Sequence, residues 1–369
     1  MTPEHILNHS AYRQWMDRFG PQTEHMILNE SVSSVHNQTA HKVRTQLNLI
    51  HPRIFPQLPE LSRKEVAVSD IRGVKAECLL KYQLRPTLEW QRDMVTNIST
   101  LEFVKQAMEL PDFPDALREC KMLLGSDLLQ TEELNSQYPV FVFLGTGSAV
   151  PMKSRNVSCT LVHVSPSKVL MLDCGEGSFT QLYQHYGKET DNILCQLSAV
   201  FVSHIHADHH SGLPHVLYER ERALRSCGKP FSPVFLVAPT LVMTWLNLFH
   251  DHCQAFLHNI SVIPAHNLIE GAKGGCPKIR SLISSLLEMY QFEKFQTCFV
   301  RHCKMAFGCA VIHQSGWKLV FSGDTMPCEA LIKMGKNATL LIHEAHTRRW
   351  FRERCNRKST QVPGLLYAF

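Results

Sequence analysis

The sequence predicts an α/β fold, and three observations support this prediction. From about residue 138 onward, apolar segments of strand length alternate with segments of helical spacing. Short loops rich in glycine or acidic residues follow several of the apolar segments, as is typical at strand ends. Side chains that can bind a cation follow three of these segments, so we expect them to meet at one edge of a sheet.

The composition is that of a folded, globular protein. The chain has 369 residues, of which 44% are hydrophobic, and is long enough for one large or two moderate domains. The net charge of +5 permits a polyanionic substrate without requiring one. The 13 cysteines contain no C-x-x-C pair, which favours reduced thiols and a reducing compartment. We expect no membrane partner, because no apolar run is long enough to span a bilayer and no signal sequence is visible.

The first third of the chain is predicted to mix helices and strands, without a cluster of metal-binding side chains. Residues 2–18 are predicted to form one helix, because Thr2 and Pro3 favour a helix start, and residues 40–50 to form another. Strand-like segments cover residues 25–29 and 74–84. Residues 101–131 are predicted to form helices that lead into the next domain.

A continuous apolar strand is predicted at residues 140–144, followed by a tight turn. The turn is Gly145-Thr146-Gly147-Ser148. It lacks the third glycine and the following helix of a dinucleotide site, so we expect no dinucleotide cofactor. A basic loop over 151–156 follows, and then two strands at 159–164 and 169–172.

An acidic loop follows the second of these strands and precedes a helix predicted over 178–186. Its first residue, Asp173, has two interpretations that the sequence does not separate. It is either a hydrogen-bond partner for an imidazole that binds a metal, or a carboxylate favoured at a helix start by the helix dipole.

The strongest signal follows an apolar strand predicted over 197–202. It is the run Ser203-His204-Ile205-His206-Ala207-Asp208-His209. His204 and His206 can turn to one metal ion, and the Asp-His pair that follows can turn to a second position close by. The alternative is a surface cluster of solvated histidines. With 21 histidines in the chain, this spacing arises by chance with a probability on the order of 10⁻³ to 10⁻². Gly212 then allows a turn into a helix over 212–225.

Two isolated ligand candidates lie further along the chain. After a strand and helix at 234–237 and 240–249, the sequence is irregular to about residue 279, and a helix follows to 290. His302 follows the strand-like residues 298–301, and Asp324 follows residues 319–323 after a hairpin turn at 314–316. This position at a strand end favours metal binding over a structural role. Four other histidines lack that context and are predicted to be structural: His250, His252, His258 and His313.

The order of these motifs resembles that of the metallo-β-lactamase superfamily, and in detail the long form of the tRNase Z family. Seven blocks carry the resemblance: Phe143-Leu144-Gly145-Thr146-Gly147-Ser148, Pro151-x-Lys153-x-Arg155-Asn156, Leu172-Asp173-Cys174-Gly175-Glu176-Gly177, Ser203-His204-x-His206-x-Asp208-His209, His302-Cys303-x-x-Ala306-Phe307-Gly308, Ser322-Gly323-Asp324-Thr325 and His343-Glu344-Ala345. They occur in family order over residues 138–345.

The resemblance implies a metallo-β-lactamase fold, an αββα sandwich, with two zinc ions that acidify the attacking water. It assigns the ligands as follows: His204, His206 and His302 to one zinc, Asp208, His209 and a further histidine to the other, and Asp324 to both. It also implies that Asp208 is the general base and that Glu344 helps to protonate the leaving oxygen.

The function implied by the resemblance is that of an endoribonuclease that removes the 3′ trailer from precursor tRNA and leaves a 3′-hydroxyl. Lys153, Arg155 and Asn156 are expected to bind the RNA 3′ end. Long-form family members are nuclear and mitochondrial, and without an import leader we expect this chain to be nuclear or cytosolic. A homodimer is compatible with the resemblance and is not tested by the sequence.

Both ends of the chain differ from the family pattern. Residues 1–100 resemble the back half of a degenerate copy of the same fold, with Glu30 where an active copy has a metal-binding histidine. A helical linker over 101–137 and a catalytic domain over 138–345 are expected to follow. The arginine-rich tail over 346–369 lacks a strand pattern and the last zinc-binding histidine, for which His346 is the nearest substitute. We therefore expect a fold that is incomplete at its C-terminal end, a weakened second zinc site and reduced turnover.

Two alternative functions stay open on the sequence alone. In the first alternative, the chain is a catalytically inactive isoform that at most binds RNA or a protein partner. In the second, it is a hydrolase of small phosphodiesters. Parallel assays with precursor tRNA and a chromogenic phosphodiester separate these alternatives.

Overall fold

The computed structural model describes residues 4–28, 38–52, 54–58, 73–77, 79–95, 98–125, 138–152 and 154–344, together with a strand at 365–367. The chain divides into two compact units, Met1–Gln130 and Thr131–Phe369. Among the described residues, no helix combines the length and the apolar character that a membrane span requires.

The first unit contains five helices and four short strands in its described part. The helices are α1 (Glu4–Leu7), α2 (Ser10–Asp17), α3 (Gln38–Ile50), α4 (Thr100–Met108) and α5 (Phe113–Leu123). The strands are β1 (Met26–Ile27), β2 (Val74–Lys75), β3 (Lys81–Gln83) and β4 (Glu89–Gln91). β1 pairs in parallel with β2, and β3 pairs antiparallel with β4.

Two predictions for this unit were wrong in detail. The single helix predicted over 2–18 is interrupted, because the His9 side chain caps α2 by accepting a hydrogen bond from the Ala11 amide at 3.3 Å. The strand predicted over 74–84 is divided by a turn, in which Leu79 has a φ of +65° and the Leu80 amide donates to the Glu77 carbonyl. The interpretation of residues 1–100 as a partial copy of the second unit, and the predicted linker at 101–137, stay predictions.

The second unit contains seven α-helices and eleven strands in its described part. The helices are α6 (Ser178–Tyr186), α7 (Thr190–Gln196), α8 (Ala207–His210), α9 (Leu213–Ser226), α10 (Thr240–His252), α11 (Pro277–Tyr290) and α12 (Glu329–Gly335). The strands are β5 (Val140–Gly145), β6 (Cys159–Ser165), β7 (Lys168–Leu172), β8 (Leu197–Phe201), β9 (Val234–Ala238), β10 (Ile260–Pro264), β11 (Phe292–Phe299), β12 (Phe307–His313), β13 (Lys318–Phe321), β14 (Leu340–His343) and β15 (Leu365–Tyr367).

Two sheets pack face to face to form the core of this unit. The first has the order β10-β9-β8-β7-β6-β5, and the second has the order β11-β12-β13-β14-β15. Because successive side chains of a strand point to opposite faces, Phe201 packs against Phe321 of the other sheet, whereas Val200 packs towards α6 and α9. Leu331 of α12 packs on the outer face of the second sheet. This arrangement confirms the predicted αββα sandwich.

The second unit also contains elements that the sequence analysis missed. α7 and β10 lie in segments for which no element was predicted. The prediction that the arginine-rich tail lacks a strand was wrong, because β15 pairs in parallel with β14. The remaining residues of that tail, including His346, lie outside the described part of the chain.

The strand directions bring the C-terminal ends of five strands to one edge of the sandwich. β7 and β8 run parallel, so the loops that follow them lie side by side. In the second sheet, β11 and β13 each pair antiparallel with β12, and β13 runs parallel to β14. The C-terminal ends of β11, β13 and β14 therefore share one edge, and the Phe307 amide joins this sheet to the first by donating to the Ser203 carbonyl at 2.9 Å.

A close approach of two loops requires glycine beside the metal-binding motif. A Cβ atom on Gly212 would lie 2.1 Å from the Gly175 carbonyl oxygen, and a Cβ on Gly175 would lie 2.1 Å from the Asp208 carbonyl oxygen. Gly212 has a φ of −79°, which any residue adopts. Gly212 is thus needed for close packing, and the predicted reason, freedom to turn, was wrong.

Candidate metal centre

Three imidazole rings from two distant segments converge at this edge. His206 Nδ1 lies 2.9 Å from His204 Nε2 and 2.9 Å from His302 Nε2. Each neutral ring nitrogen carries either one proton or one lone pair, so His206 Nδ1 cannot make a good hydrogen bond to both neighbours. A cation bound about 2.0–2.1 Å from each nitrogen would satisfy all three at separations of about 3.3 Å. The convergence predicted for His302 is therefore present in the structure.

A second donor group lies next to the first and includes two carboxylates. His209 Nε2 is 3.5 Å from Asp208 Oδ2 and 3.4 Å from Asp324 Oδ1. The other oxygen of Asp324 is 3.7 Å from His302 Nε2, so this carboxylate contacts both groups. The structure thus brings together all six predicted metal-binding side chains: His204, His206, Asp208, His209, His302 and Asp324.

Asp173 fixes the orientation of the His209 ring. Its Oδ2 atom is 2.6 Å from His209 Nδ1, which turns Nε2 towards the donor group. Asp173 is fully buried, and its carboxylate also accepts hydrogen bonds from the Ser203 amide at 2.8 Å and the Ser203 hydroxyl at 3.0 Å. Of the two interpretations of Asp173, the contact with an imidazole is confirmed. A carboxylate behind a metal-binding imidazole is a recurrent arrangement that fixes the ring and its tautomer.

Backbone strain accompanies the residues that hold these side chains. Ala149 and Asp173 have φ values of +66° and +57°. Such left-handed conformations cost about 1–3 kcal/mol in non-glycine residues and occur often at functional sites. The Ala149 amide donates to Asp208 Oδ2 at 2.6 Å, so its unusual conformation aims a hydrogen bond at the site.

The charges of the site are balanced around buried carboxylates. Burial acts to lower the pKa of His209, but the three surrounding carboxylates outweigh it and raise that pKa to about 12. Burial and the neighbouring imidazoles lower the pKa of His204 to about 3, so its ring is neutral and can act as a ligand. Burial favours protonation of Asp208, yet its contacts with His209 and the Ala149 amide lower its pKa overall. A proton on His209 thus occupies the electrostatic position that a cation would take.

Glu344 lies beside this centre, after β14. Its Oε1 atom accepts a hydrogen bond from the Thr325 amide at 2.5 Å. Burial and the charge of Asp324 raise the pKa of Glu344 to about 7. A carboxylic acid with this pKa can exchange a proton at neutral pH.

The three predicted RNA-binding residues have different surroundings. Arg155 is exposed, whereas Asn156 is buried and its amide donates to the Glu176 carbonyl at 2.7 Å. Asn156 therefore ties the basic loop to the loop after β7. Lys153 lies outside the described residues.

The sequence analysis did not assign roles to Ser203, Ala149 or Cys303. The Ser203 hydroxyl is 3.0 Å from His204 Nδ1 and so supports the first imidazole of the motif. Ala149 acts through its backbone amide, which has no side-chain signal in a sequence. Cys303 offers a ligand atom within 4.8 Å of those of His204, His206 and His302, and its position directly after His302 is the sequence signal for this.

Comparison with known proteins finds one matching family model and relatives that are similar over most of the chain. Residues 140–354 match the family model described as anti-Pycsar protein Apyc1. The chain is 57% identical to zinc phosphodiesterase ELAC protein 2 of Mus musculus over 346 residues, which make up 94% of this chain and 42% of the relative. It is 31% identical to a mitochondrial ribonuclease Z of Drosophila melanogaster over 375 residues, with 93% of this chain and 47% of the relative covered.

A solved structure supports the same fold. The crystal structure of a long form RNase Z from yeast matches with a TM-score of 0.68 at 20% sequence identity, and covers 89% of this chain and 53% of that one. The chain spans less than half the length of the two curated relatives described above.

Proposed function

Because the chain belongs to the family of the matching model and to the group of zinc phosphodiesterases and long-form ribonucleases Z, we propose that it is a tRNA 3′-processing endoribonuclease. It would remove the 3′ trailer from precursor tRNA and leave a 3′-hydroxyl on the tRNA. The observation that carries this proposal is the approach of His302 to His206 within 2.9 Å, across 96 residues of sequence. Such convergence of ring nitrogens on one point at a sheet edge supports a metal centre rather than a set of surface histidines.

The proposed zinc ligands follow the two donor groups. The three imidazoles of His204, His206 and His302 would hold one zinc ion, and Asp208 and His209 a second, with Asp324 between them. Nitrogen and carboxylate oxygen donors suit zinc. When bound, zinc would acidify the attacking water and stabilise charge on the phosphate.

Side chains of the protein would perform the proton transfers. We assign Asp208 as general base, because its lowered pKa keeps it ionised and the Ala149 amide fixes its position. Glu344 would protonate the leaving 3′ oxygen of the tRNA product, while the phosphate stays on the trailer, since its pKa of about 7 leaves a substantial protonated fraction at neutral pH. Asp173 would keep the His209 ring in place during both steps.

The substrate would approach from the open side of the centre. Among the described residues, His206 and His302 are exposed, whereas His204 and His209 are buried, so a phosphodiester would reach the donor cluster from the side of His206 and His302. Exposed Arg155 would contact a phosphate of the RNA 3′ end, and Asn156 would hold the loop that carries it. We also propose, from the sequence alone, that Lys153 contacts the RNA 3′ end.

We propose that the second zinc site is the weaker of the two. Among the described residues, its donors are Asp208, His209 and the shared Asp324, and the neighbouring imidazole of His204 is already assigned to the first zinc. Fewer ligands lower affinity, so turnover would be reduced. This feature also favours the second candidate function, a catalytically inactive chain that binds RNA. The nuclear, mitochondrial or cytosolic location and a homodimer belong to the proposal as expectations from the family.

Cleavage of a precursor tRNA with a 3′ trailer tests the proposed function. The zinc-supplemented chain and a His206→Ala variant are each assayed with the precursor tRNA and with a chromogenic phosphodiester under the same conditions. We expect trailer release with a 3′-hydroxyl, lost in the variant. RNA binding without cleavage would support the inactive chain, and hydrolysis of the small ester alone would refute the tRNA substrate.

A further inference from the structure

Two cations and an aromatic ring lie beside His302 along the chain. Phe299 ends β11, Arg301 directly precedes His302, and Lys304 follows it by two residues. All three side chains are exposed, and Phe299 is 51% exposed although it is aromatic. Val300 is buried against α12, so the side chains on either side of it point away from that contact and towards solvent.

The two cations are available to an external anion. Among the described residues, neither the Arg301 guanidinium nor the Lys304 ammonium has an ion pair or a hydrogen bond. By contrast, the guanidinium of Arg222 in α9 is paired with the carboxylate of Asp191. Cations without a partner on the protein suit phosphate oxygens, which bind lysine and arginine without regard to sequence.

The backbone holds this segment in place. The Arg301 amide donates to the Thr325 hydroxyl at 3.0 Å, and the Arg301 carbonyl accepts a hydrogen bond from the Met326 amide at 2.9 Å. The Val300 amide donates to the Ala306 carbonyl at 3.0 Å and so closes the loop that carries His302. A segment that is already ordered loses less conformational freedom when it binds a ligand.

We propose that Phe299, Arg301 and Lys304 bind the single-stranded 3′ trailer of the precursor tRNA. Phe299 stacks on a base, and the two cations contact phosphates of the trailer. This inference rests on the proposed function, because the trailer belongs to its substrate. Aromatic rings combined with a cationic surface are typical of proteins that bind single-stranded RNA, and every base has a face that can stack, so trailers of different sequence can bind.

The position of the second basic loop favours the trailer over the body of the tRNA. The loop with Arg155 follows Ala149, whose amide contacts Asp208 of the second donor group. The two cations proposed here flank His302, which belongs to the first donor group. Because Arg155 is assigned to the RNA 3′ end of the tRNA, the strand beyond the cleaved phosphate runs towards the loop that carries His302.

Binding of a labelled trailer RNA tests the proposal without cleavage. The probe is a single-stranded RNA with a 5′-phosphate, and fluorescence anisotropy is measured with the zinc-supplemented full chain at several salt concentrations. We expect Phe299→Ala to weaken binding about tenfold, through the loss of one stacked base. Arg301→Ala and Lys304→Ala should each lower the slope of log affinity against log salt by about 0.7, the value for one phosphate contact of a single strand.

Two matched controls lie at the opposite edge of the sandwich. Phe231 is 49% exposed and precedes β9, and Lys336 is exposed and precedes β14. Phe231→Ala and Lys336→Ala should leave trailer binding unchanged. Zinc analysis of each variant checks that the change beside His302 has not displaced the metal, and Arg301→Lys, which keeps the charge, should bind the trailer like the parent chain.

Cleavage of two precursors separates this surface from the proposed function. One precursor has a long single-stranded trailer, and the other has a single trailer nucleotide. We expect the three variants to raise KM for the long trailer, with little change in kcat and little effect on the short one. Trailer binding that is unchanged in all three variants, or equal effects on both precursors, would overturn the proposal. Cleavage by the parent chain with unchanged trailer binding in the variants would refute only this surface, whereas weakened trailer binding without any cleavage by the parent would support the surface and refute the endonuclease.

Discussion

Replacing Asp173 with asparagine perturbs the metal centre through a residue that is not itself a proposed ligand. The carboxylate holds His209 Nδ1 at 2.6 Å and accepts two hydrogen bonds from Ser203. Asparagine has the same shape, but only its oxygen can accept a hydrogen bond. In the place of Oδ2, its NH₂ group would face the ring N–H of His209 and the Ser203 hydroxyl, and in the place of Oδ1 it would face the Ser203 amide, so at least one donor loses its partner.

The structure sets the size of the expected effect. Hydrogen bonds to a charged group contribute about 1.5–3 kcal/mol each, and Asp173 is fully buried, so water cannot replace the lost contact. Changes to a carboxylate behind a metal-binding imidazole weaken metal affinity by about 10–100-fold, which is about 1.4–2.7 kcal/mol. We expect Asp173→Asn to weaken zinc binding within this range and to lower the free energy of unfolding by about 2 kcal/mol.

Competition with a chromogenic zinc chelator measures the affinity, and urea unfolding of the metal-free chain measures stability. The matched control is Asp191→Asn, which removes a carboxylate paired with Arg222 near the surface. That pair is partly exposed, and we expect a loss of no more than about 1 kcal/mol without a change in zinc affinity. Equal zinc affinity in Asp173→Asn and the parent chain would refute the role assigned to this contact.

Three further predictions concern proton transfer, backbone packing and the competition between zinc and protons. Glu344→Gln should reduce cleavage of precursor tRNA by about 10²–10⁴-fold. Because the acid form of Glu344 is lost as the pH rises through its pKa of about 7, the decline of the parent rate on the alkaline side should disappear in the variant, and an unchanged pH–rate profile would contradict this role. Gly212→Ala should lower the free energy of unfolding by about 3 kcal/mol, because the new methyl group would lie 2.1 Å from a carbonyl oxygen. Gly335→Ala is the control and should cost much less, because its methyl group would lie 3.7 Å from the nearest atom. Equal costs in urea unfolding would refute the packing argument. The pKa of His209 in the metal-free state, about 12, keeps its ring protonated at neutral pH, so zinc must displace this proton and zinc affinity should rise about tenfold per pH unit. Calorimetry in buffers of different ionisation enthalpy counts the released proton. Zinc binding without proton release would contradict the assignment of His209 as a ligand.

Much of the second unit was predictable because its strands are short apolar runs with clear stops. The predicted strand over 140–144 and the helix over 178–186 correspond to β5 and α6 with little change in their bounds. The convergence of His302 and Asp324 was also predictable, since both follow strands whose ends meet at the edge that carries the H-x-H-x-D-H motif. The missed strand β10 has only five residues, and its pairing with β9 depends on the surrounding fold.

Other features depend on contacts that a sequence does not express. The Ala149 amide reaches Asp208 across 59 residues, and an alanine side chain gives no indication of this contact. Asn156 was predicted to bind RNA because an amide suits base edges, yet in the structure its amide donates to the Glu176 carbonyl in the loop after β7. The need for glycine at position 212 arises from the nearness of another loop, and glycine in a sequence does not distinguish close packing from a turn.

Zinc analysis of the purified chain, dialysed against metal-free buffer, tests the central claim most directly. Donor atoms from the loops after β8, β11 and β13 converge in the structure, so we predict about one firmly retained zinc ion per chain and a second that is lost on dialysis. His204→Ala should abolish the retained zinc without unfolding the chain. A parent chain that retains no zinc, or a variant that retains as much as the parent, would contradict the claim that these side chains form a metal centre.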